Sequence, residues 1–89
     1  MYSPAYTRQF ERDVKQTKHR GKNLDKLKII ARTLLAGRTV DAIHRDHRSV
    51  GNYIARRECH IESDWLLIYR VEETRIVFER TGTHSDLFR

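Results

Sequence analysis

Residues 65–81 read WLLIYRVEETRIVFERT, two strand-like segments joined by the polar residues Glu72-Glu73-Thr74. The first segment, Trp65–Val71, is almost continuously apolar, which is typical of a central strand with both faces covered. Three polar residues leave room only for a tight turn. The second segment, Arg75–Thr81, is therefore predicted to run antiparallel to the first, until Gly82 breaks it.

A third strand is predicted before this pair, over Tyr53–Ile61. Its alternation places Ile54, Arg56, Glu58 and His60 on one face and Tyr53, Ala55, Arg57, Cys59 and Ile61 on the other. The short corner at Ser63 and Asp64 makes the three strands an antiparallel meander. Upstream, residues 38–52 contain few apolar anchors and are predicted to form a long loop with no more than a helical turn.

The N-terminal part of the chain has the pattern of an amphipathic helix over Pro4–His19, with Ser3 as its cap and Pro4 in its first turn. Tyr6, Phe10 and Val14 recur at intervals of four and form an apolar stripe. The residues between them, Asp13 included, are predicted to face solvent.

A second helix is predicted to begin after Asn23, which is a favourable cap, and to end near Gly37. Its apolar face is broad and comprises Leu24, Leu27, Ile29, Ile30, Ala31, Leu34 and Leu35. One neighbouring helix cannot cover a face of that width, so the face needs a sheet. The sequence thus predicts one α+β domain over residues 1–89, an antiparallel helical hairpin packed on a small antiparallel β-sheet.

The composition sets bounds on function. The 89 residues include 18 Lys and Arg against 12 Asp and Glu, a formal net charge of +6. Residues 1–60 hold 14 of these basic side chains and 6 of the acidic ones. Such a surface attracts nucleic acid or an acidic protein, although a merely well-solvated surface is an equally good interpretation.

Other classes are excluded or disfavoured. No apolar run approaches the length of a membrane span, and the N-terminus lacks the apolar stretch of a secretory signal. The single cysteine, Cys59, permits no intrachain disulfide, which fits a reducing cytoplasm. Cys59 is predicted to be a core residue.

Five histidines in 89 residues are the unusual feature. His19 is expected to interact with a helix end, whereas His44, His47, His60 and His84 lie outside the predicted apolar stripes. Imidazoles can donate and accept protons near neutral pH, so these side chains are candidates for acid–base catalysis. Scattered surface histidines are the alternative. Carboxylates close to these histidines in sequence are Asp46, Glu58 and Asp64. Glu58 and Asp64 are equally well explained as partners of Arg56, Arg57 or Arg70, and for Glu58 that interpretation is the favoured one.

A metal site or a serine nucleophile is less well supported. His44, His47, Cys59 and His60 are all zinc-competent, but adjacent strand residues such as Cys59 and His60 point to opposite faces. No cysteine pair or metalloprotease motif is present. Nothing around Ser85 resembles the strand–turn–helix of a serine hydrolase.

Four motifs in order point to a known family: Asp46-His47, Arg57–Ile61, Ser63–Tyr69 and Phe78–Phe88. Together they resemble the YafQ branch of the RelE-type toxins, in the RelE/ParE superfamily. These proteins are the toxin halves of bacterial type II toxin–antitoxin pairs. The similarity extends over nearly the whole chain, the helical hairpin included.

The resemblance implies a RelE-like fold and a metal-independent endoribonuclease, without cofactor, that cuts translated mRNA in the ribosomal A site. The RNA 2′-hydroxyl would be the nucleophile, leaving a 2′,3′-cyclic phosphate and a 5′-hydroxyl. His84 would be the general acid, and His60 or Asp64 would take the 2′-proton. The catalytic set carried over is His47, His60, Asp64, His84 and Arg80, in which Arg80 offsets charge on the phosphate.

Substrate contacts are expected from Trp65 and Phe88 by stacking on bases, with Asp46, Glu58 and Arg57 as further candidates. Core packing is the alternative for Trp65. The expected partners are the ribosome, mRNA and an acidic, partly disordered antitoxin that folds on the basic surface.

The chain departs from the family at three places. Arg48-Ser49 stand where Pro-Leu is frequent, Ser63 replaces a frequent Pro, and Glu58 is Asp in some relatives. The alternatives in function are a non-catalytic growth inhibitor of the same fold and a nucleic-acid-binding regulator, for which no recognition-helix signature is present.

Overall fold

The computed structural model describes residues 1–49 and 55–88. Within these ranges the strands are β1 (Ser3–Tyr6), β2 (His47–Arg48), β3 (Arg57–Glu62), β4 (Trp65–Val71) and β5 (Arg75–Gly82). The helices are α1 (Arg8–His19), α2 (Leu24–Leu35) and α3 (His84–Leu87), with a 3-10 turn at Ala42–His44. No helix in the described part of the chain is long and apolar enough to span a membrane.

The sheet has the strand order β1-β5-β4-β3-β2. The predicted meander is confirmed, because β3, β4 and β5 pair in sequence and antiparallel. β4 is central, and Leu66, Leu67 and Ile68 are fully buried as its continuous apolar pattern predicts. The sheet is mixed rather than purely antiparallel, since β1 pairs with β5 in parallel.

The predicted start of the first helix at Ser3 and Pro4 is wrong. Residues Ser3–Tyr6 form an edge strand, where Pro4 is tolerated because one side of the strand needs no hydrogen bond. The cap is Thr7, whose Oγ1 accepts from the Phe10 N–H at 3.0 Å and donates to the Glu79 carbonyl at 2.8 Å. Local signals favour a Ser-Pro helix start, but pairing with β5 is a long-range interaction that overrides them.

Thr7→Ala is expected to lower the free energy of unfolding by about 1–2 kcal/mol, since it removes the cap and the link to β5. Ser3→Ala is the matched control, because Ser3 is exposed in β1, and its effect is expected within about 0.5 kcal/mol. Urea denaturation of both variants measures the difference. A larger loss for Ser3→Ala would restore the original cap assignment.

The helical hairpin packs on one sheet face as predicted, and the Asn23 side chain caps α2 by accepting from the Asp25 N–H. The main core joins both helices to the sheet through Phe10, Leu27, Ile30, Leu34, Cys59, Ile61, Trp65, Leu67, Tyr69, Ile76 and Phe78. Cys59 is therefore a core residue, and burial raises the pKa of its thiol to about 12.

Asp13 is not on a solvated face as predicted, since only 4% of it is exposed. β1 pairs with β5 only as far as Phe78, which leaves the edge of β5 uncovered beyond that point. The Asp13 carboxylate takes the place of a neighbouring strand there and accepts from the Thr81 N–H at 3.1 Å. A carboxylate can satisfy an edge N–H that no strand reaches.

The other element boundaries in the structure differ from the predicted ones by a few residues. β3 begins at Arg57 rather than Tyr53, because Ala55 has a left-handed backbone (φ 67°) that interrupts a strand. The predicted strand residues Tyr53 and Ile54, and loop residues 50–52, lie outside the described residues. The rest of the loop holds the 3-10 turn and β2, which pairs with β3. The C-terminal tail contains a helix, α3.

Candidate active site

The two faces of the sheet differ in character. One is covered by α1 and α2, whereas the other carries a small apolar cluster of Leu66, Ile68 and Leu87 with Phe88 packed against it. Because Leu66 pairs with His60 and Ile68 with Glu58, those two β3 side chains share the second face. We call this second face the histidine face, since His47, His60 and His84 meet on it.

The three imidazoles form a row. The ring centres of His47 and His60 lie 6.0 Å apart, and those of His60 and His84 lie 5.8 Å apart. Phe88 extends the row, 6.1 Å from His84. Three elements distant in sequence supply these rings: the start of β2, β3 and α3. The fold thus brings three of the candidate histidines together on one face.

His84 is held by Asp64. The Asp64 carboxylate accepts from the His84 backbone N–H at 2.9 Å and lies 2.7 Å from its Nδ1. These two hydrogen bonds hold the pKa of Asp64 below its usual value. With Nδ1 donating to the carboxylate, Nε2 is the ring nitrogen that Asp64 does not engage. His84 is about half exposed and thus accessible.

His47 is held by two acceptors. Its Nε2 lies 2.7 Å from Glu58 Oε1, and its Nδ1 forms a short hydrogen bond with the Arg45 carbonyl. Because both partners are acceptors, the ring satisfies both when each nitrogen carries a proton. The Glu58 carboxylate therefore partners a histidine.

His60 lies between these two and is 9% exposed. Burial lowers its pKa below the usual value, and the nearby positive charge of Arg45 lowers it further, against an opposing effect of Glu58. A neutral imidazole is thereby favoured at neutral pH. Its backbone carbonyl accepts from His44 Nδ1 at 2.8 Å, so His44 anchors the 3-10 turn to β3.

His60 is expected to titrate below pH 6.5, the ordinary value for its side chain, in an NMR pH titration of the ring protons. We expect Arg45→Ala to raise the titration midpoint of His60, because it removes a positive neighbour. We expect Glu58→Gln to lower that midpoint, because it removes a negative neighbour. On acidification the unfolded chain binds this proton first, so His60 reduces folding stability as pH falls from about 6.5 towards its native pKa. A titration midpoint above pH 6.5 would contradict the lowering of the His60 pKa by burial and by Arg45.

α3 is fixed at the end of β5 by a capping box. The Thr83 side chain accepts from the Asp86 N–H, and Asp86 in turn accepts from the Thr83 N–H at 3.0 Å. Arg20, at the end of α1, binds Asp86 through two hydrogen bonds of 2.6 and 3.2 Å. A Cβ on Gly82 would stand 2.8 Å from Asp86 Oδ2, so the glycine permits this close approach.

Arg80 pairs across the sheet with Ile68, and Ile68 pairs with Glu58, so Arg80 lies in the same cross-strand row as the histidine site. Its guanidinium is bound by the buried Asp13, with Nε 2.7 Å from Oδ2 and Nη2 3.3 Å from Oδ1. Asp13 thereby fixes the orientation of Arg80.

Three of the candidate substrate-binding residues are not brought to this face. Trp65 is 1% exposed and its indole N–H donates to Thr81 Oγ1 at 2.9 Å, so the core-packing alternative describes it and no ring face is open to a base. Asp46 and Arg57 contact each other and Tyr69 on the helix-covered face. Phe88 and Glu58 do lie on the histidine face.

Sequence reasoning missed the parts played by Asp13 and Tyr69. An aspartate within an amphipathic helix and a tyrosine within an apolar strand are both ordinary in those positions. Only their hydrogen bonds, to residues 67 and 23 positions away, identify them.

Among residues 1–49 and 55–88, no three or more His, Cys, Asp or Glu side chains are grouped as they would be to hold a metal ion.

Known proteins share both sequence and fold with this chain. The Escherichia coli K12 protein named mRNA interferase toxin YafQ is 41% identical over 85 residues, which cover 93% of this chain and 91% of that protein. A putative toxin YafQ of Haemophilus influenzae is 31% identical, covering 91% of this chain and 86% of that one.

Solved structures of related toxins match this chain in fold as well as in sequence. The crystal structure of the E. coli DinJ–YafQ complex matches with a TM-score of 0.92 and 36% identity over the full length of both chains. That of a metal-bound toxin from Helicobacter pylori matches with a TM-score of 0.92 and 29% identity, covering 99% of this chain and 100% of that one. Residues 2–89 match the family described as bacterial toxin of type II toxin–antitoxin system, YafQ. The resemblance noted in the sequence is thus confirmed, and the chain belongs to the YafQ family of bacterial toxins.

Proposed function

We propose that this chain is an mRNA endoribonuclease, the toxin of a type II toxin–antitoxin pair, that acts in the cytoplasm on translated mRNA in the ribosomal A site. The observation that carries the proposal is the row of three imidazoles on the histidine face, with its outer rings hydrogen-bonded to Glu58 and Asp64. Binding alone needs cations, whereas oriented imidazole–carboxylate pairs serve proton transfer. Relatives named mRNA interferase support the same reaction.

His60 is the proposed general base. Its lowered pKa keeps the ring neutral, so it can accept the proton of the RNA 2′-hydroxyl at neutral pH. The 2′-oxygen then attacks phosphorus, and the bond to the 5′-oxygen breaks. Asp64 is assigned to orienting His84 rather than to the base, because its carboxylate already accepts two hydrogen bonds from His84.

His84 is the proposed general acid. Held through Nδ1 by Asp64, it presents Nε2 to the departing 5′-oxygen and donates the proton that completes a 5′-hydroxyl. The other product end is a 2′,3′-cyclic phosphate. Arg80, held by Asp13, is proposed to stabilise the negative charge that builds on the phosphate, and His47, held by Glu58 beside His60, is assigned to the same part of the site.

The surroundings of the histidine row suit an RNA strand. A cavity of about 370 Å³ opens beside His60 and is lined by Ile43, His44, Arg45, Ile61, Glu62 and Ser63, a size within the range of small-molecule sites. Phe88 offers an aromatic surface next to His84. The net charge of +6 favours contact with rRNA and mRNA phosphates, with affinity that falls as salt rises.

The proposed partner that neutralises the toxin is an acidic antitoxin, in keeping with the solved DinJ–YafQ complexes. A partly disordered acidic chain can fold over a basic surface and cover the histidine face. Binding of such a partner would abolish cleavage without any change in the toxin's own fold.

The test is cleavage of a defined mRNA on programmed ribosomes, by protein stripped beforehand with EDTA and assayed in Mg²⁺ so that ribosomes stay intact. The expected products carry 2′,3′-cyclic phosphate and 5′-hydroxyl ends. A matched mRNA with a single 2′-deoxynucleotide at the cut site is expected to resist, because it lacks the nucleophile. Stalled translation without cuts would show a binding inhibitor, and cuts in the deoxy-substituted mRNA would refute the 2′-hydroxyl mechanism.

A further inference from the structure

Asp46 and its neighbour His47 point to opposite sides of the sheet. On the histidine face, His47 contacts Glu58. On the helix-covered face, Asp46 Oδ1 accepts from the Tyr69 phenol at 2.6 Å and from Arg57 Nε at 3.2 Å. Since the two residues are consecutive, whatever fixes Asp46 also fixes the backbone that carries His47.

The anchor on the helix-covered face is buried in the core. Tyr69 lies in the central strand β4 and is 1% exposed, packed in the main core. Burial, with a further contribution from the Asp46 carboxylate, raises the pKa of the Tyr69 phenol, so it remains a hydrogen-bond donor throughout the neutral range. Arg57 directly opposes Tyr69 on β3 and is the third member of this hydrogen-bonded group.

The strand that carries His47 is short. β2 contains only two residues, His47–Arg48, which pair with Glu58 and Arg57. Arg45, just before Asp46, has a left-handed backbone (φ 49°), a conformation that is unfavourable for a side-chain-bearing residue. That turn also presents the carbonyl that binds His47 Nδ1. The placement of His47 therefore depends on tertiary anchors more than on local preference.

We propose that Tyr69 and Asp46 are positioning residues for His47, acting through the sheet from the face opposite the substrate. The inference deepens the proposed function and rests on it. Asp46 was expected at the substrate, but its contacts place its action on the other side of the sheet.

Tyr69→Phe removes one hydroxyl and keeps the ring that fills the core. We expect the single-turnover rate of mRNA cleavage to fall by about 10- to 100-fold, with ribosome affinity unchanged, because small displacements of a catalytic group have effects of that size. Tyr6→Phe is the matched control. Tyr6 packs through its ring against Phe10 and Phe78, and cleavage is expected to stay within about 2-fold of wild type.

A double-mutant cycle separates positioning from a general structural role. If Tyr69 acts through His47, adding Tyr69→Phe to a His47→Ala protein changes cleavage by less than about 2-fold. An equal loss in both backgrounds, or no loss in the single variant, overturns the proposal. Thermal unfolding confirms that each protein is folded at the assay temperature.

A second variant keeps the proposal testable if Tyr69→Phe is poorly folded. Asp46→Asn retains an acceptor oxygen and is expected to cleave within about 3-fold of wild type, whereas Asp46→Ala falls as Tyr69→Phe does. Equal cleavage rates of Asp46→Asn and Asp46→Ala would refute the proposal that the Asp46 side chain positions His47.

Nitrogen-15 NMR of the His47 ring gives a readout without activity. Altered His47 signals in Tyr69→Phe, and unaltered ones in Tyr6→Phe, support positioning even if the wild-type protein does not cleave mRNA. Unchanged signals in Tyr69→Phe would overturn it. Failure of the proposed function and failure of this inference are thus distinguishable.

Discussion

His84→Ala is expected to lower the rate of ribosome-dependent mRNA cleavage by about 10²- to 10⁴-fold, the usual contribution of a positioned general acid or base. The loss follows from removing the only proposed proton source for the 5′-oxygen. The fold is expected to persist, because the ring is about half exposed and α3 is also held by the Thr83–Asp86 capping box and by Arg20. Single-turnover kinetics at saturating ribosome concentration measure the effect.

Two comparisons make that result decisive. His19→Ala changes the same residue type at the exposed end of α1 and is expected to cleave at the wild-type rate. An mRNA with a 5′-thio leaving group at the cut site needs no protonation to depart, so it is expected to restore most of the activity of His84→Ala. Wild-type cleavage by His84→Ala, or no recovery with the thio substrate, would remove His84 from the role of acid.

Trp65→Ala is expected to have the largest effect on stability, about 3–5 kcal/mol, since it deletes a large side chain from a close-packed core. Trp65 is 1% exposed in the cluster that joins both helices to the sheet. The substitution also removes the hydrogen bond from the indole N–H to Thr81 Oγ1, and that hydroxyl itself donates to the Leu66 carbonyl. In a domain with a typical stability of about 5–15 kcal/mol, a loss of this size leaves little margin. Denaturant unfolding followed by circular dichroism gives the measurement.

Trp65→Phe distinguishes a core residue from one that stacks on a base. It keeps an aromatic ring in the core and removes the indole N–H, so the expected destabilisation is smaller, about 1–2 kcal/mol. The folded variant is expected to cleave mRNA within about 3-fold of wild type. A hundred-fold loss of cleavage by a stably folded Trp65→Phe would instead indicate that the indole contacts RNA.

Much of the fold follows from patterns within short segments. The continuous apolar run Trp65–Val71 predicted the central strand, and the polar turn after it predicted its antiparallel neighbour. Asn23 marked the start of α2 correctly. These features depend on hydrophobic periodicity and on local capping, both of which are visible in a window of about ten residues.

The errors have a common origin in long-range interactions. Ser3 and Pro4 satisfy local rules for a helix start, yet they form a strand because β5 offers an edge more than 70 positions away in the chain. Asp13 has the local pattern of a surface residue, yet it is buried because that same edge has an N–H without a strand partner at Thr81. No local window contains either cause.

The α+β class, the order of the meander and the candidate histidines were predictable before folding was considered, because apolar periodicity and side-chain chemistry are properties of the residues and their neighbours. Which carboxylate binds which imidazole, and which residues lie on the opposite side of the sheet from the site, depends on how the strands and helices pack. Asp64 meets His84 across 20 positions, Glu58 meets His47 across 11, and Tyr69 meets Asp46 across 23. Such pairs form only where the packed sheet brings distant segments within hydrogen-bond distance, so the placement of the proposed catalytic groups is a property of the folded sheet.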